Sequence, residues 1–156
     1  MERWMDRFSH RSQRASMNML SEIVNLEWVG NRRFLMQDQQ GYPILMDQPN
    51  GVSASDLLPL SLIGCSSYDI VAILEKQRQG ITNLAVSAES IRDSEPPFTF
   101  RKIHVHYKVS GSGLDPIKVA RAIELSEEKY CGVFATLKKA VEITSDFEIL
   151  ETKETA

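Results

Sequence analysis

Two cysteines, Cys65 and Cys131, are the side chains of this sequence that could carry covalent redox chemistry. A thiolate is a nucleophile that can be oxidised, whereas a buried, protonated thiol is inert. The two cysteines lie too far apart in sequence to form a CxxC motif or a zinc-binding pattern. Free cysteines are also among the most buried residue types and usually pack as small hydrophobic side chains. The residue types alone therefore leave two interpretations open, redox chemistry and ordinary packing.

Cys65 falls in the middle of the most apolar stretch of the chain, which predicts a long helix over residues 56–79. Ser55 or Asp56 is the expected N-cap. Pro59 is tolerated only in the first turn, where its missing N–H has no partner within the helix. The helix is apolar on nearly all sides, so we expect a second copy of the chain to cover it in a homodimer.

Cys131 falls near the start of another helix, predicted over residues 126–140, whose first turn carries two glutamates that complement the helix dipole. An earlier helix begins where Asp115, a capping residue, precedes Pro116 at the first helical position. Alternation of apolar and polar residues predicts strands around these helices, at residues 22–29, 33–36, 42–46, 84–88, 103–109 and 141–150. Strands and helices in this order indicate an α+β fold.

Composition and charge argue against several functional classes. The chain has 156 residues, 42% of them apolar, and a net charge of −3, which fits one globular domain and argues against a dedicated nucleic-acid binder. Asp69 interrupts the apolar stretch, so a helix buried in protein is favoured over a membrane span. Two cysteines are too few for a secreted disulfide scaffold, and the expected compartment is the reducing cytoplasm.

We expect a mobile tail at residues 1–18, one domain over residues 19–151 and a short tail at residues 152–156.

The segments around the two cysteines resemble helices of the OsmC/Ohr superfamily, the osmotically inducible protein C and organic hydroperoxide resistance proteins. They read GCSSYDIVAILEKQRQGI at residues 64–81 and LSEEKYCGVFATLKKAVEIT at residues 125–144. The strand FTFRKIHVHY at residues 98–107 and the hairpin LEWVGNRRFLMQDQQGYPILMD at residues 26–47 are similar to the YhfA-like branch of predicted redox proteins. The resemblance covers residues 21–150. It implies an OsmC-like fold, with antiparallel sheets around a long buried central helix, and an intertwined homodimer.

The same resemblance implies thiol-based reduction of organic hydroperoxides. Cys65 is then the attacking thiolate that becomes a sulfenic acid, and Cys131 resolves it by forming an intramolecular disulfide. A dithiol reductant, such as a lipoylated protein, reopens that disulfide, and no other cofactor or metal is expected. A non-enzymatic alternative keeps the fold and uses the interface groove to bind a small apolar ligand or a protein partner.

The sequence leaves open which group ionises Cys65. The peroxidase branches use an arginine from the N-terminal hairpin, held by an acid near the start of the cysteine helix. Arg32 and Arg33 lie in the corresponding hairpin, without the family's glycine-flanked motif, and Asp56 stands at the position of the helix-start acid. Asp56 is therefore a candidate catalytic residue, although helical geometry places it opposite Cys65 and a plain N-cap role is equally compatible. Asp69 shares the face of Cys65, where a bare carboxylate opposes thiolate formation. Either a cation pairs with Asp69, or Asp69 orients a polar network, or Cys65 is a slow nucleophile. The candidate cations are Arg33, Arg121 and Lys129.

Overall fold

The computed structural model describes residues 21–47 and 50–152, which form two compact units divided between Met46 and Asp47. The N-terminal unit is a three-stranded sheet of β1 (Asn25–Trp28), β2 (Arg33–Gln37) and β3 (Pro43–Asp47), in that order. Gly30 and Asn31 take positive φ values of 101° and 51° in the tight turn between β1 and β2. The three predicted strands of this half are confirmed, the first of them shorter than expected. The predicted N-terminal tail lies outside the described residues, as does the C-terminal tail beyond Thr152.

The C-terminal unit contains one long helix, two shorter helices and a second sheet. A single 3₁₀ turn, Ala54–Asp56, leads directly into the long helix α1. A π-helical turn, Ser126–Tyr130, connects the two shorter helices. The elements are α1 (Leu57–Lys76), β4 (Gly80–Arg92), β5 (Phe100–Ser112), α2 (Pro116–Leu125), α3 (Gly132–Leu137) and β6 (Glu142–Glu151). The predicted α+β fold is confirmed.

The second sheet is mixed rather than antiparallel throughout. Its strand order is β4-β5-β6, with β5 antiparallel to β4 and parallel to β6. Lys102 at the start of β5 pairs with Glu142 at the start of β6. The chain reaches β6 only after α2 and α3, and such a helical crossover is what allows two strands of one sheet to run in the same direction. The expectation of antiparallel sheets therefore needs this correction for β6.

The core of the C-terminal unit lies between β5 and the helices. Alternate residues of β5 point inward, as the pleat of a strand requires, and α1 contributes one residue per turn. The buried residues are Ile103, Val105, Tyr107 and Val109 of β5, Leu62, Ser66, Ile70 and Leu74 of α1, and Val119, Ala122 and Ile123 of α2. This single buried stripe fixes the rotation of α1 about its axis, and with it the direction in which Cys65 and Asp69 point.

The remaining faces of α1 are only partly covered within one subunit. Together with its 3₁₀ turn, the helix (Ala54–Lys76) is long and apolar enough to cross a membrane, and 22% of its most apolar window is buried in this subunit. Length and composition do not separate a membrane span from the central helix of a soluble protein. Leu60 and Tyr68 are 47% and 80% exposed. The helix is found where the sequence predicts it, and its cover by a second subunit stays a prediction.

Candidate functional site

Cys65, Asp69 and Cys131 meet in one cluster. The two sulfur atoms and a carboxylate oxygen of Asp69 all lie within 4.8 Å of one another. Cys65 and Asp69 are one helical turn apart on α1, and both are half-buried. Cys131 comes from the start of α3 and is only 2% exposed. The fold thus brings together the two cysteines that the sequence separates widely.

Cys131 does not lie inside a helix, so the predicted helix over residues 126–140 is wrong in detail. The π-helical turn that follows α2 ends at Tyr130, and the backbone of Cys131 is extended, with φ −74° and ψ 100°. Cys131 is the N-cap of α3, where its Sγ accepts a hydrogen bond from the N–H of Phe134 at 3.3 Å. π-Helical turns are rare and recur at functional sites. Here the break leaves the Cys131 sulfur beside Cys65.

Burial keeps Cys131 protonated. It raises the pKa of the Cys131 thiol to about 11, and a hydrogen bond with Cys65 acts in the same direction. The backbone N–H groups of Phe134 and Val133 oppose the shift without cancelling it. At neutral pH the Cys131 sulfur is therefore a protonated thiol. The two sulfurs differ in role, since Cys131 is a buried thiol and Cys65 is the sulfur that a solute can reach.

Short pulses of iodoacetamide at pH 8 should label Cys65 at least about ten times faster than Cys131, because the reagent needs both access and a thiolate. Labelling of Cys131 should continue to increase with pH up to about 11, since its raised pKa means that the thiolate fraction is still growing there. Peptide mass spectrometry of the reduced protein after quenching measures both rates. Equal labelling, or a Cys131 rate that stops rising near the ordinary thiol pKa, would contradict this assignment.

Asp69 has a hydrogen-bond donor but, among residues 50–152, no ion-pair partner. Its Oδ2 accepts a hydrogen bond from the Oγ of the buried Ser126 at 3.1 Å. Within residues 50–152, no basic side chain forms an ion pair with this carboxylate. Of the candidate cations, Arg121 pairs with Glu124 and Lys129 lies over the ring of Tyr130, 5.3 Å from its centroid. The carboxylate beside the two sulfurs is thus not neutralised within this unit.

Tyr107 of β5 forms a hydrogen bond with α1 at Ser66, the residue that follows Cys65. Its buried hydroxyl donates to the Oγ of Ser66 at 3.0 Å, and Ser66 in turn donates to the carbonyl of Ile63 at 3.2 Å. Burial raises the pKa of Tyr107 to about 12, so the phenol stays neutral and remains a donor. The alternation of apolar and polar residues predicts a strand over residues 103–109 and no particular role for Tyr107. The available signal was its hydroxyl, which needs a partner when buried.

Replacing Tyr107 by phenylalanine should lower the free energy of unfolding by about 1 kcal/mol, the net value of a typical internal hydrogen bond. Tyr42→Phe is the matched control, because Tyr42 lies outside α1 and is 67% exposed. Urea denaturation followed by circular dichroism measures both variants at one protein concentration. An equal effect of the two substitutions would show that the contact with Ser66 contributes nothing to stability.

Asp56, the other predicted site residue of the C-terminal unit, is not part of the cysteine cluster. Asp56 is the N-cap of α1, its side chain makes no capping hydrogen bond, and about two and a half helical turns separate it from Cys65. It lines a pocket of about 480 Å³ together with Arg92 of β4. Arg32 and Arg33 are exposed residues of the N-terminal unit, and Arg33 begins β2. A catalytic role for Asp56 stays a prediction.

Comparison with known proteins identifies the family of this chain. A family model described as OsmC-like protein matches residues 47–146, which include Cys65, Asp69 and Cys131. Protein YhfA of Escherichia coli strain K12 is 40% identical over 130 residues, which cover 81% of this chain and 97% of the relative.

Solved structures show the same fold. A hypothetical protein from Aquifex aeolicus VF5 is 26% identical, with a TM-score of 0.79 over 86% of this chain and 100% of its own. The organic hydroperoxide resistance protein OhrB of Bacillus subtilis is 17% identical, with a TM-score of 0.56 over 83% of this chain and 98% of its own, and shows the fold alone. The chain therefore belongs to the OsmC-like family and, within the OsmC/Ohr superfamily, to the YhfA-like branch.

Proposed function

We propose that this protein is a thiol-dependent peroxidase that reduces organic hydroperoxides. The observation that carries the proposal is a partly exposed cysteine whose sulfur lies within 4.8 Å of a buried second sulfur. One accessible thiol and one sheltered thiol are what a peroxidatic and a resolving cysteine require. The substrate class is the one that membership of the OsmC/Ohr superfamily suggests, and structural neighbours named as organic hydroperoxide resistance proteins share the fold.

In the first step, the Cys65 thiolate attacks the terminal oxygen of the hydroperoxide. A sulfur–oxygen bond forms and the oxygen–oxygen bond breaks, so the peroxide is reduced by two electrons. The leaving alkoxide takes a proton from water and departs as the alcohol, and Cys65 becomes a sulfenic acid. Cys65 rather than Cys131 performs this step, because Cys65 is partly exposed, whereas Cys131 is buried and its pKa is raised to about 11.

In the second step, the Cys131 sulfur attacks the sulfenic sulfur of Cys65. The disulfide forms, the sulfur–oxygen bond breaks, and the proton of Cys131 leaves with the hydroxide as water. The two sulfur atoms lie within 4.8 Å of each other and must approach to about 2.05 Å, the length of a disulfide bond. Cys131 is placed for such a movement because it lies at a break between two helical segments rather than inside one.

A dithiol reductant completes the cycle by thiol–disulfide exchange. One of its thiolates attacks the disulfide, its second thiol resolves the mixed disulfide, and both cysteines return to the reduced state. A lipoylated protein is the proposed donor, and the reducing cytoplasm is the proposed compartment because it keeps such dithiols available.

The proposed functional unit is a homodimer. α1 carries apolar side chains such as Leu60, which is 47% exposed among the described residues. Burying apolar surface of this kind is the main driving force for association. We also propose that a second copy packed against α1 supplies further residues near Cys65. One of these would be a side chain that pairs with Asp56.

The direct test mixes the reduced full-length protein with cumene hydroperoxide and dihydrolipoamide. We expect catalytic loss of peroxide and, when the reductant is omitted, a disulfide between Cys65 and Cys131 that peptide mass mapping identifies. Peroxide loss no faster than with dihydrolipoamide alone would refute the enzymatic proposal. The protein would then be a non-enzymatic member of its family that binds an apolar ligand or a protein partner.

A further inference from the structure

The cysteine cluster includes a carboxylate with which no basic side chain of residues 50–152 forms an ion pair. Asp69 is half-buried beside two sulfurs, and its partner within residues 50–152 is a neutral hydroxyl, that of Ser126. Charged groups that lose contact with water are commonly paired with an opposite charge or coordinate a metal ion. Ionisation of either cysteine adds a second negative charge at the same point. The cluster therefore favours a bound cation.

The donor atoms specify which kind of cation fits. Two thiolates with one carboxylate oxygen form a set that prefers Zn²⁺ over Mg²⁺ or Ca²⁺, which take oxygen ligands. Ligands of a tetrahedral zinc ion lie roughly 3.5–3.8 Å apart, given bonds of about 2.0–2.3 Å. The three atoms already lie within 4.8 Å of one another, so closure around the ion needs movements of roughly 1 Å.

A hydrogen bond from Ser126 supports the Asp69 carboxylate as a ligand. Ser126 is fully buried, and its hydroxyl donates to Oδ2 of Asp69 at 3.1 Å. Metal-binding carboxylates commonly accept such a hydrogen bond, which fixes their orientation. Since Cys65 and Asp69 project from one helix and Cys131 from another element, an ion here would also tie α1 to the start of α3.

We propose that the reduced protein binds one Zn²⁺ per chain through Cys65, Cys131 and Asp69, with a water molecule as the fourth ligand. Binding displaces the protons of the two thiols and is possible only while both cysteines are reduced. The bound ion occupies both sulfurs and so prevents Cys65 from attacking a peroxide. The proposal does not depend on peroxidase activity, because it needs the two thiols and not their turnover.

The test is competition for Zn²⁺ between the reduced full-length protein and a chromophoric chelator, with Co²⁺ spectra as a second readout. We expect one equivalent bound, with thiolate-to-Co²⁺ charge-transfer bands. Cys65→Ser and Cys131→Ser should each weaken binding at least about 100-fold. Asp69→Asn should weaken it at least about tenfold, given that loss of even a supporting contact costs about 10–100-fold. Glu75→Gln, which removes an exposed carboxylate from the same helix, should leave affinity unchanged.

A measurement without substitutions guards against misfolded variants. Diamide converts the two thiols of the parent protein to a disulfide, and this form should bind no Zn²⁺ until a dithiol restores it. Three results would overturn the site: less than one equivalent bound by the reduced parent, binding that survives disulfide formation, or an Asp69→Asn variant with the affinity of the parent.

Discussion

Cys65→Ser should abolish hydroperoxide reduction, lowering the rate by a factor on the order of 10⁴ or more, the scale seen when a covalent nucleophile is removed. A serine hydroxyl is not ionised at neutral pH and forms no product equivalent to a sulfenic acid. The remaining thiol does not replace it, because burial raises the pKa of Cys131 to about 11 and leaves its side chain 2% exposed. Peroxide consumption with dihydrolipoamide in excess measures the effect.

Cys131→Ser is the matched variant, since it replaces the sulfur of the second cysteine by oxygen in the same way. It should still reduce one equivalent of peroxide per chain, because the first step uses only Cys65, and should then accumulate a sulfenic acid that dimedone traps. Later turnovers should slow, because the external dithiol must attack a partly buried sulfenic acid without help from a neighbouring thiol. A Cys131→Ser variant as inactive as Cys65→Ser would reverse or remove the assigned roles.

Local sequence signals predicted the parts of the fold that depend on local chemistry. The long helix follows from an apolar run bounded by a capping residue and a polar end. The start of α2 follows from Asp115 and Pro116, and the structure shows the Asp115 Oδ1 accepting from the N–H of Ile117 at 2.9 Å. Such signals act within a few residues, so one sequence is enough to read them.

The features that the sequence did not predict depend on contacts between distant residues. The segment Ser126–Tyr130 has acidic residues that suit the start of a helix, yet it forms a π-helical turn. Its first residue is fully buried and donates to Asp69, a partner 57 positions away. The parallel pairing of β6 likewise depends on where two helices cross the sheet. A single sequence carries no local signal for either.

The proximity of the two cysteines was predicted, but not from local sequence signals. Spacing alone gave no reason to place Cys65 beside Cys131, and the resemblance to a known superfamily supplied the pairing. The structure adds what that resemblance lacked: the difference in burial between the two sulfurs, and the position of Asp69 within 4.8 Å of both. Asp69 was recognised as an obstacle to thiolate formation. Its lack of a basic partner within residues 50–152 depends on where α2 and the π-helical turn place Arg121 and Lys129.

Ile70→Ala should lower the free energy of unfolding by about 2–5 kcal/mol, the usual cost of removing a large aliphatic side chain from a packed core. Ile70 is completely buried in the stripe of α1 that packs with β5 and α2, and it directly follows Asp69. The cavity left behind cannot be filled without shifting the helix that carries Cys65. Chemical denaturation at one fixed protein concentration measures the loss, because the stability of an oligomer depends on concentration.

Ile117→Ala is the control for that substitution, because it removes the same atoms from a helical isoleucine that is 79% exposed. We expect a change within about 0.5 kcal/mol there, as for most surface positions. The contrast tests how α1 is oriented, since rotating the helix by half a turn would expose Ile70 and move Cys65 and Asp69 away from Cys131. Equal losses at the two positions would mean that the buried stripe is assigned to the wrong face, and the cysteine cluster with it.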